Sequence, residues 1–276
     1  MHNAAYDEDG EQRVADNQIT DATKWVKGAS IGTGSSGNVY LATDSSSGLL
    51  MAVKQVELPT GSTPNEEHKK STLHAYLELL KQLQHQNVVQ YIDSYSDEVY
   101  LNIFLEYIPG GSVASLLKNY GAFEESLVCS FVRQTLQGLV YLHERDITHG
   151  DIKGASILVD NKGTVKLSGF AMNRPSASSL FWVAPEVVRQ TAYTQKADVW
   201  SLGCLVIEMF TGEHPWPQLT QMQAVFQIGS EGARPAFPSD ISSNAEDFLS
   251  KTFEVEHTIR PSAAQLLQHP WTNRSS

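Results

Sequence analysis

The segment 147–171, ITHGDIKGASILVDNKGTVKLSGFA, constrains the fold of this chain more than any other part of the sequence. Two short apolar runs, ILVD and TVKL, flank the turn residues NKG, and this pattern predicts a β-hairpin. The hairpin puts Asp151 and Lys153 in the loop before its first strand and Gly169 just after its second strand. Charged groups held in this way are candidates for a reactive site.

The beginning of the chain is predicted to form an antiparallel meander of three strands. Residues 25–58, WVKGASIGTGSSGNVYLATDSSSGLLMAVKQVEL, alternate apolar and polar side chains around a turn at SSSG. Gly32, Gly34 and Gly37 form G-x-G-x-x-G, a weak signal alone because dinucleotide-binding folds and simple turns share it. Here a strand rather than a helix follows, with Val39 two residues on, so the loop is predicted to cover phosphate groups with backbone N–H groups.

A lysine stands in the middle of the third predicted strand, in the run Met51-Ala52-Val53-Lys54. An ammonium group on an apolar strand is costly to bury unless it has a partner. Lys54 is therefore predicted to be functional rather than a passive residue of the strand. A helix is predicted next, over residues 71–85, STLHAYLELLKQLQH.

The composition of the chain limits the kinds of partner it is expected to bind and the cellular compartment in which it is expected to act. The 276 residues are 41% hydrophobic and carry a formal net charge of −11, which argues against nucleic acid or an anionic membrane as partner. No apolar run reaches the length of a membrane span, and the N-terminus lacks the pattern of a secretory signal. Cys129 and Cys204 lie in apolar helical patterns and are predicted to be reduced core residues, which fits a cytoplasmic location.

The motifs together resemble the catalytic core of eukaryotic protein kinases, whose pattern is H-R-D-x-K-x-x-N, a hairpin, and then D-F-G. The corresponding residues here are His149, Gly150, Asp151, Lys153, Ser156, Gly169, Phe170 and Ala171. The resemblance implies an α+β, bilobal protein-kinase fold over residues 25–271, with an N-lobe of about 25–107 and a C-lobe of about 108–271. Residues 1–24 are expected to be a disordered acidic tail, and residues 272–276 a short tail.

Several stretches, among them LNIFLEYIPGGSVASLL and FWVAPEVVRQTAYTQKADVWSLGC, are similar to fungal MAP kinase kinase kinases (MAPKKKs) of the mating and stress pathways. This resemblance implies cytosolic signalling, ATP with Mg²⁺, and Ser/Thr phosphorylation of a MAP kinase kinase. In such enzymes Asp151 would orient the attacking hydroxyl and Lys153 would hold the moving phosphate. The residues implied to contact the nucleotide are Ile31, Gly32, Gly34, Gly37, Val39, Ala52, Lys54, Leu105, Glu106, Ile108 and Leu158.

Four positions that carry charge or bind metal in the family are changed in this chain. Ser156 and Gly169 replace the two metal ligands, Gly150 replaces an arginine, and Tyr76 stands where a helix glutamate pairs with the strand lysine. Glu78 is the nearest carboxylate, but two positions on a helix rotate a side chain by about 200°. Because Mg²⁺ prefers hard anionic oxygens, ATP is expected to bind with Mg²⁺ held weakly or not at all, and no metal site is predicted.

Two functional hypotheses follow. In the first, the chain is a pseudokinase that binds a MAP kinase kinase, another MAPK-cascade protein or a full-length kinase relative without phosphorylating it. In the second, it is a weak but active Ser/Thr kinase in which another carboxylate, such as Asp160, replaces the lost ligands. A poorly folded product is a third alternative, but two structural features retained from the family argue against it. These are Asp198, expected to hold the catalytic loop, and a buried ion pair between Glu186 and Arg260.

Overall fold

The computed structural model describes residues 25–34, 37–59, 61, 63–170, 177–230 and 233–273. Its N-terminal part is a five-stranded antiparallel sheet in the order β1-β2-β3-β5-β4 with one long helix, and its C-terminal part is mainly helical with a two-stranded sheet. The strands are β1 Trp25–Gly34, β2 Gly37–Asp44, β3 Leu50–Glu57, β4 Tyr91–Ser96, β5 Tyr100–Glu106, β6 Ile157–Val159 and β7 Val165–Leu167. The expected α+β, two-lobed architecture is confirmed.

The helices follow from the apolar periodicity of the chain. They are α1 Pro64–Gln82, α2 Val113–Tyr120, α3 Glu125–His143, α4 Pro185–Val188, α5 Lys196–Thr211, α6 Gln221–Gly229, α7 Ser243–Thr252 and α8 Ala263–Leu267. Short 3-10 helices lie at Gly154–Ser156 and Ala177–Trp182. Within the described ranges, no helix is both long and apolar enough to cross a membrane. The predicted acidic tail, Ala171 and residues 274–276 lie outside the described residues.

The predicted start of the first helix was wrong. α1 begins at Pro64, seven residues before the predicted residue 71. Thr63 accepts a hydrogen bond from the Glu66 N–H, and the Glu66 carboxylate accepts one from the Thr63 N–H, while Pro64 occupies the first helical turn. Such a capping box with proline is a strong start signal, which the Gly, Ser and Thr residues around it disguised as a loop.

The glycine-rich hairpin is fixed by a close approach of two strands. β2 pairs with β3 in unbroken register, with Val39 opposite Lys54 and Asn38 opposite Gln55. Gly37 has φ +139°, and a Cβ there would lie 2.1 Å from the Gln55 carbonyl oxygen. Only glycine fits at this point, so the start of β2 stays tight against the strand that carries Lys54.

The C-lobe is built on α5, which is buried along most of its length. As predicted, Arg260 and Glu186 form a buried ion pair: Nη1 lies 2.7 Å from Oε1, and Nη2 lies 3.0 Å from Oε2. Arg260 also donates through Nε to the Glu254 carbonyl oxygen at 2.8 Å. Cys204 is buried in α5, and Cys129 is half-buried in α3, where its thiol donates to the Trp271 carbonyl oxygen at 3.0 Å.

We expect Arg260→Met to lower the free energy of unfolding by about 3–5 kcal/mol, because it leaves the Glu186 carboxylate buried without a counter-charge. Urea unfolding followed by circular dichroism measures this change. The matched control is Lys81→Met, which breaks the exposed pair with Glu78 and should change stability by less than about 1 kcal/mol. Equal effects of the two substitutions would contradict the assignment.

Candidate active site

The loop before β6 is held by one buried carboxylate, that of Asp198 on α5. Its Oδ2 accepts the His149 N–H at 2.8 Å, and its Oδ1 accepts the Gly150 N–H at 2.8 Å, as predicted. His143 Nε2 lies 2.9 Å from the same carboxylate. Gly150 has φ +76°, a left-handed conformation that glycine adopts without strain. The loop conformation therefore does not depend on the family arginine at this position.

His149 fixes the position of the next residue, Asp151. The imidazole is fully buried, and its Nδ1 accepts the Asp151 N–H at 3.2 Å while Nε2 lies 3.0 Å from the Ser168 carbonyl oxygen. Burial lowers the pKa of His149, which favours the neutral ring. Because Nδ1 accepts an N–H and Nε2 faces a carbonyl oxygen, the proton is on Nε2. The ring centroid lies 4.8 Å from that of Phe170, which joins the loop to the segment after β7.

Asp151 and Lys153, the two candidate catalytic residues, meet at one hydroxyl. Lys153 Nζ lies 3.0 Å from Asp151 Oδ1 and 2.8 Å from Ser179 Oγ. The Ser179 hydroxyl donates to Asp151 Oδ1. The carboxylate, the ammonium group and the hydroxyl are thus in mutual contact. The loop therefore retains the groups that would orient a hydroxyl nucleophile.

A second buried carboxylate, Glu208 on α5, lies beneath this loop and was not predicted from the sequence. Its Oε2 accepts the Gly154 N–H at 2.9 Å and the Trp182 Nε1–H at 2.9 Å. A Cβ at position 154 would lie 2.4 Å from Glu208 Oε1, so a larger residue there would displace this carboxylate. Burial raises the pKa of Glu208 to about 6. The available signal was a single carboxylate in the apolar run LVIEMF.

Lys54 is buried, with 8% of its surface exposed, and contacts Tyr76 on α1. Its Nζ lies 3.4 Å from the Tyr76 hydroxyl oxygen and 5.0 Å from the centre of the ring. Glu78 does not replace the missing glutamate: its side chain is half-exposed and pairs with Lys81 Nζ at 2.8 Å. The sequence correctly placed tyrosine at the glutamate position but gave no hint that it contacts the lysine.

The residues implied to contact the nucleotide come from both lobes. Ala52 on β3 pairs with Leu105 on β5. Gly32 on β1 pairs with Val39 on β2. Ile31, also on β1, is 44% exposed. Ile108 is buried just after β5, and Gly34 lies opposite Gly37 in the hairpin.

Glu106 ties the end of β5 to the C-lobe. Its Oε1 accepts the Gln90 N–H at 2.7 Å and lies 2.6 Å from Lys166 Nζ on β7. Leu158 pairs with Lys166 in the β6–β7 hairpin, so it lies beside this junction. The ion pair joins residues 60 positions apart, and sequence patterns gave no sign of it.

The two positions that hold metal in the protein kinase family lie side by side, and here they are a serine and a glycine. A Cβ at Gly169 would lie 3.5 Å from Ser156 Oγ. Among the described residues, no three His, Cys, Asp or Glu side chains are grouped so that they could hold a metal ion. Asp160 is engaged elsewhere: its Oδ1 accepts the N–H groups of Lys162 and Thr164 in the hairpin turn, at 2.7 and 2.8 Å. The two positions thus offer one neutral hydroxyl and no carboxylate, whereas Mg²⁺ prefers anionic oxygen ligands.

A glycine-rich hairpin above a strand lysine, together with a loop that carries paired aspartate and lysine, defines the protein kinase class. Residues 25–272 match the protein kinase domain family, and the chain belongs to that family.

Curated relatives are MAPKKK-type Ser/Thr kinases. The chain is 51% identical to the mitogen-activated protein kinase kinase kinase MST11 of Pyricularia oryzae, over 97% of this chain and 32% of that protein. It is 44% identical to the serine/threonine-protein kinase STE11 of Saccharomyces cerevisiae, over 96% of this chain and 44% of that protein. By homology it is of the MAPKKK type, and it spans less than half the length of these relatives.

We expect Glu208 to make stability depend on pH. Its folded-state pKa lies above the ordinary 4.5, so the fold binds a proton more tightly than the unfolded chain does. The resulting stabilisation is complete below about pH 4.5 and is lost as pH rises through about 6, a change of at most about 2 kcal/mol.

The comparison is with Glu208→Gln, whose one amide oxygen can accept both the Gly154 and Trp182 hydrogen bonds. Urea unfolding of the two proteins across this pH range gives the difference, in which all other titrating groups cancel. A difference that does not vary with pH would refute the role of Glu208.

Proposed function

We propose that this domain is a catalytically impaired MAPKKK-type kinase domain, a pseudokinase, which acts in MAPK signalling by binding partners and holding ATP. One observation carries the proposal. The adjacent metal positions are occupied by Ser156 and Gly169, whose atoms supply no anionic oxygen for Mg²⁺. Phosphoryl transfer relies on metal to neutralise developing charge, and each 1.36 kcal/mol of lost transition-state stabilisation lowers the rate about tenfold.

The proposed partner is a MAP kinase kinase, another protein of the MAPK cascade, or a full-length kinase relative. Support comes from the names of the relatives, which place them one step above a MAP kinase kinase. The chain covers less than half of those relatives, so the comparison concerns the kinase domain alone. The proposed place of action is the cytoplasm, as the resemblance to MAP kinase kinase kinases implies.

One observation favours the alternative of a weak but active Ser/Thr kinase. Asp151 and Lys153 both contact the Ser179 hydroxyl, so the groups that would orient a nucleophile are in place. Against it, Asp160 is held in the hairpin turn rather than near Gly169. The two proposals predict different rates of phosphotransfer: none that can be measured for a pseudokinase, and a low rate for a weak kinase.

The first test is transfer of labelled phosphate from ATP to a MAP kinase kinase, with Mg²⁺ and then with Mn²⁺. We expect no transfer above that of the Asp151→Asn variant, which keeps the size of the side chain but removes its charge. Circular dichroism confirms that both proteins are folded. Transfer by the parent chain that disappears in Asp151→Asn would instead establish the weak kinase.

The second test concerns partner binding. We expect the chain to bind a MAP kinase kinase in the absence of phosphotransfer, because a signalling role without catalysis requires a stable complex. Isothermal titration calorimetry should give the same Kd for the parent chain and for Asp151→Asn, within about twofold. Absence of binding to MAP kinase kinases would contradict this part of the proposal.

A further inference from the structure

A buried cation without a carboxylate partner distinguishes this nucleotide site from a lysine–glutamate clamp. Among the described residues, Lys54 forms no ion pair, and its polar contact is the Tyr76 hydroxyl at 3.4 Å. The tyrosine ring adds a cation–π contact, with Nζ 5.0 Å from the ring centre. Both contacts are with a neutral group, so they hold the lysine without offsetting its charge.

Two other cations near the site, Lys153 and Lys166, have anionic partners. Lys153 Nζ lies 3.0 Å from Asp151 Oδ1, and Lys166 Nζ lies 2.6 Å from Glu106 Oε1. Because the two opposite charges of each pair largely cancel, each pair exerts little attraction on a bound anionic ligand. In the part of the site that the structure describes, Lys54 is therefore the source of uncompensated positive charge.

The negative charge at the metal positions of the site has changed as well. Ser156 and Gly169 bring no negative charge to the position where a metal ion would sit. A site with carboxylates there repels a bare triphosphate unless Mg²⁺ offsets both charges, whereas this site does not. The loss of the metal ligands and the loss of the glutamate partner of Lys54 thus act in the same direction, since both favour a free anion.

We propose that this site binds a nucleoside triphosphate without a divalent cation, with Lys54 as the counter-charge and Tyr76 as its positioning residue. This inference deepens the proposed function and rests on it. The ring and hydroxyl of Tyr76 keep Lys54 in place on β3, and their neutrality leaves its charge to the phosphates. No group transfer is involved.

The deciding experiment is a calorimetric titration of the whole chain with ATP, once with excess EDTA and once with excess Mg²⁺. We expect binding in EDTA, with a Kd that agrees with the Mg²⁺ value within about threefold. Binding that requires Mg²⁺, or no binding in either buffer, would overturn the inference. Binding of ATP only with Mg²⁺, together with absent phosphotransfer, would overturn it while leaving the pseudokinase proposal intact.

Substitutions at the lysine and the tyrosine test the source of the charge. In EDTA, Lys54→Met should weaken ATP binding at least about tenfold, and Tyr76→Glu should do so by about tenfold, equal to about 1.4 kcal/mol, because a carboxylate would offset the lysine. The matched control is Tyr120→Glu, the same charge change on a side chain that is 79% exposed at the end of α2, and it should have no effect.

A purely structural role for Tyr76 would give a different pattern. Adenosine, which lacks phosphates, should bind the parent chain and Tyr76→Glu equally, and Tyr76→Phe should keep most of the ATP affinity because it retains the neutral ring. Equal loss of adenosine and ATP binding in Tyr76→Glu would contradict the electrostatic role. The adenosine titration also detects any general damage to the fold.

Restoring the metal ligands provides the reciprocal control. The variant Ser156→Asn with Gly169→Asp should bind ATP at least about tenfold more tightly in Mg²⁺ than in EDTA. Gly169 has φ +73°, which aspartate tolerates better than most residues, and a Cβ there makes only ordinary contact at 3.5 Å. Equal affinities in the two buffers would show that these positions do not set the metal requirement. If this variant does not fold, the titration of the parent chain still decides.

Discussion

The hydrogen bonds of Asp198 to the His149 and Gly150 amides are the constraint on which the rest of the site depends. The carboxylate comes from α5, the buried centre of the C-lobe, and it fixes the backbone that carries Asp151. Removing it would leave two buried N–H donors without partners, each costing about 1–3 kcal/mol. Because this support comes from the core, the loop backbone is held in place with a glycine rather than an arginine at position 150.

The changed charges form a consistent set rather than scattered losses. Tyr76 replaces a carboxylate beside Lys54, and Ser156 and Gly169 leave the adjacent metal positions without anionic groups. If only one of these positions were changed, either a carboxylate or a bound metal ion would be left without its counter-charge. Changing them together gives a site that is closer to balance with a bare anion, as Coulomb interactions at short range require.

The sequence predicted the elements and positions that repeat in a fixed order along the chain. The strand meander and the hairpin could be assigned from spacing along the chain, and the roles of Asp198 and of the Glu186–Arg260 pair from the resemblance to protein kinases. It could not predict contacts between distant segments, such as Lys54 with Tyr76 or Glu106 with Lys166, since their partners are chosen by packing. The start of α1 was missed because a capping box with proline shares its composition with a loop.

The residues that stabilise the fold are distinct from those that would bind metal. The Arg260–Glu186 pair, the Asp198 carboxylate and Glu208 all lie within the C-lobe core, and none of them is one of the substituted positions. Loss of metal ligands at Ser156 and Gly169 therefore removes no buried partner and leaves no orphaned charge. For this reason the metal positions can change without a large loss of stability in the fold that surrounds them.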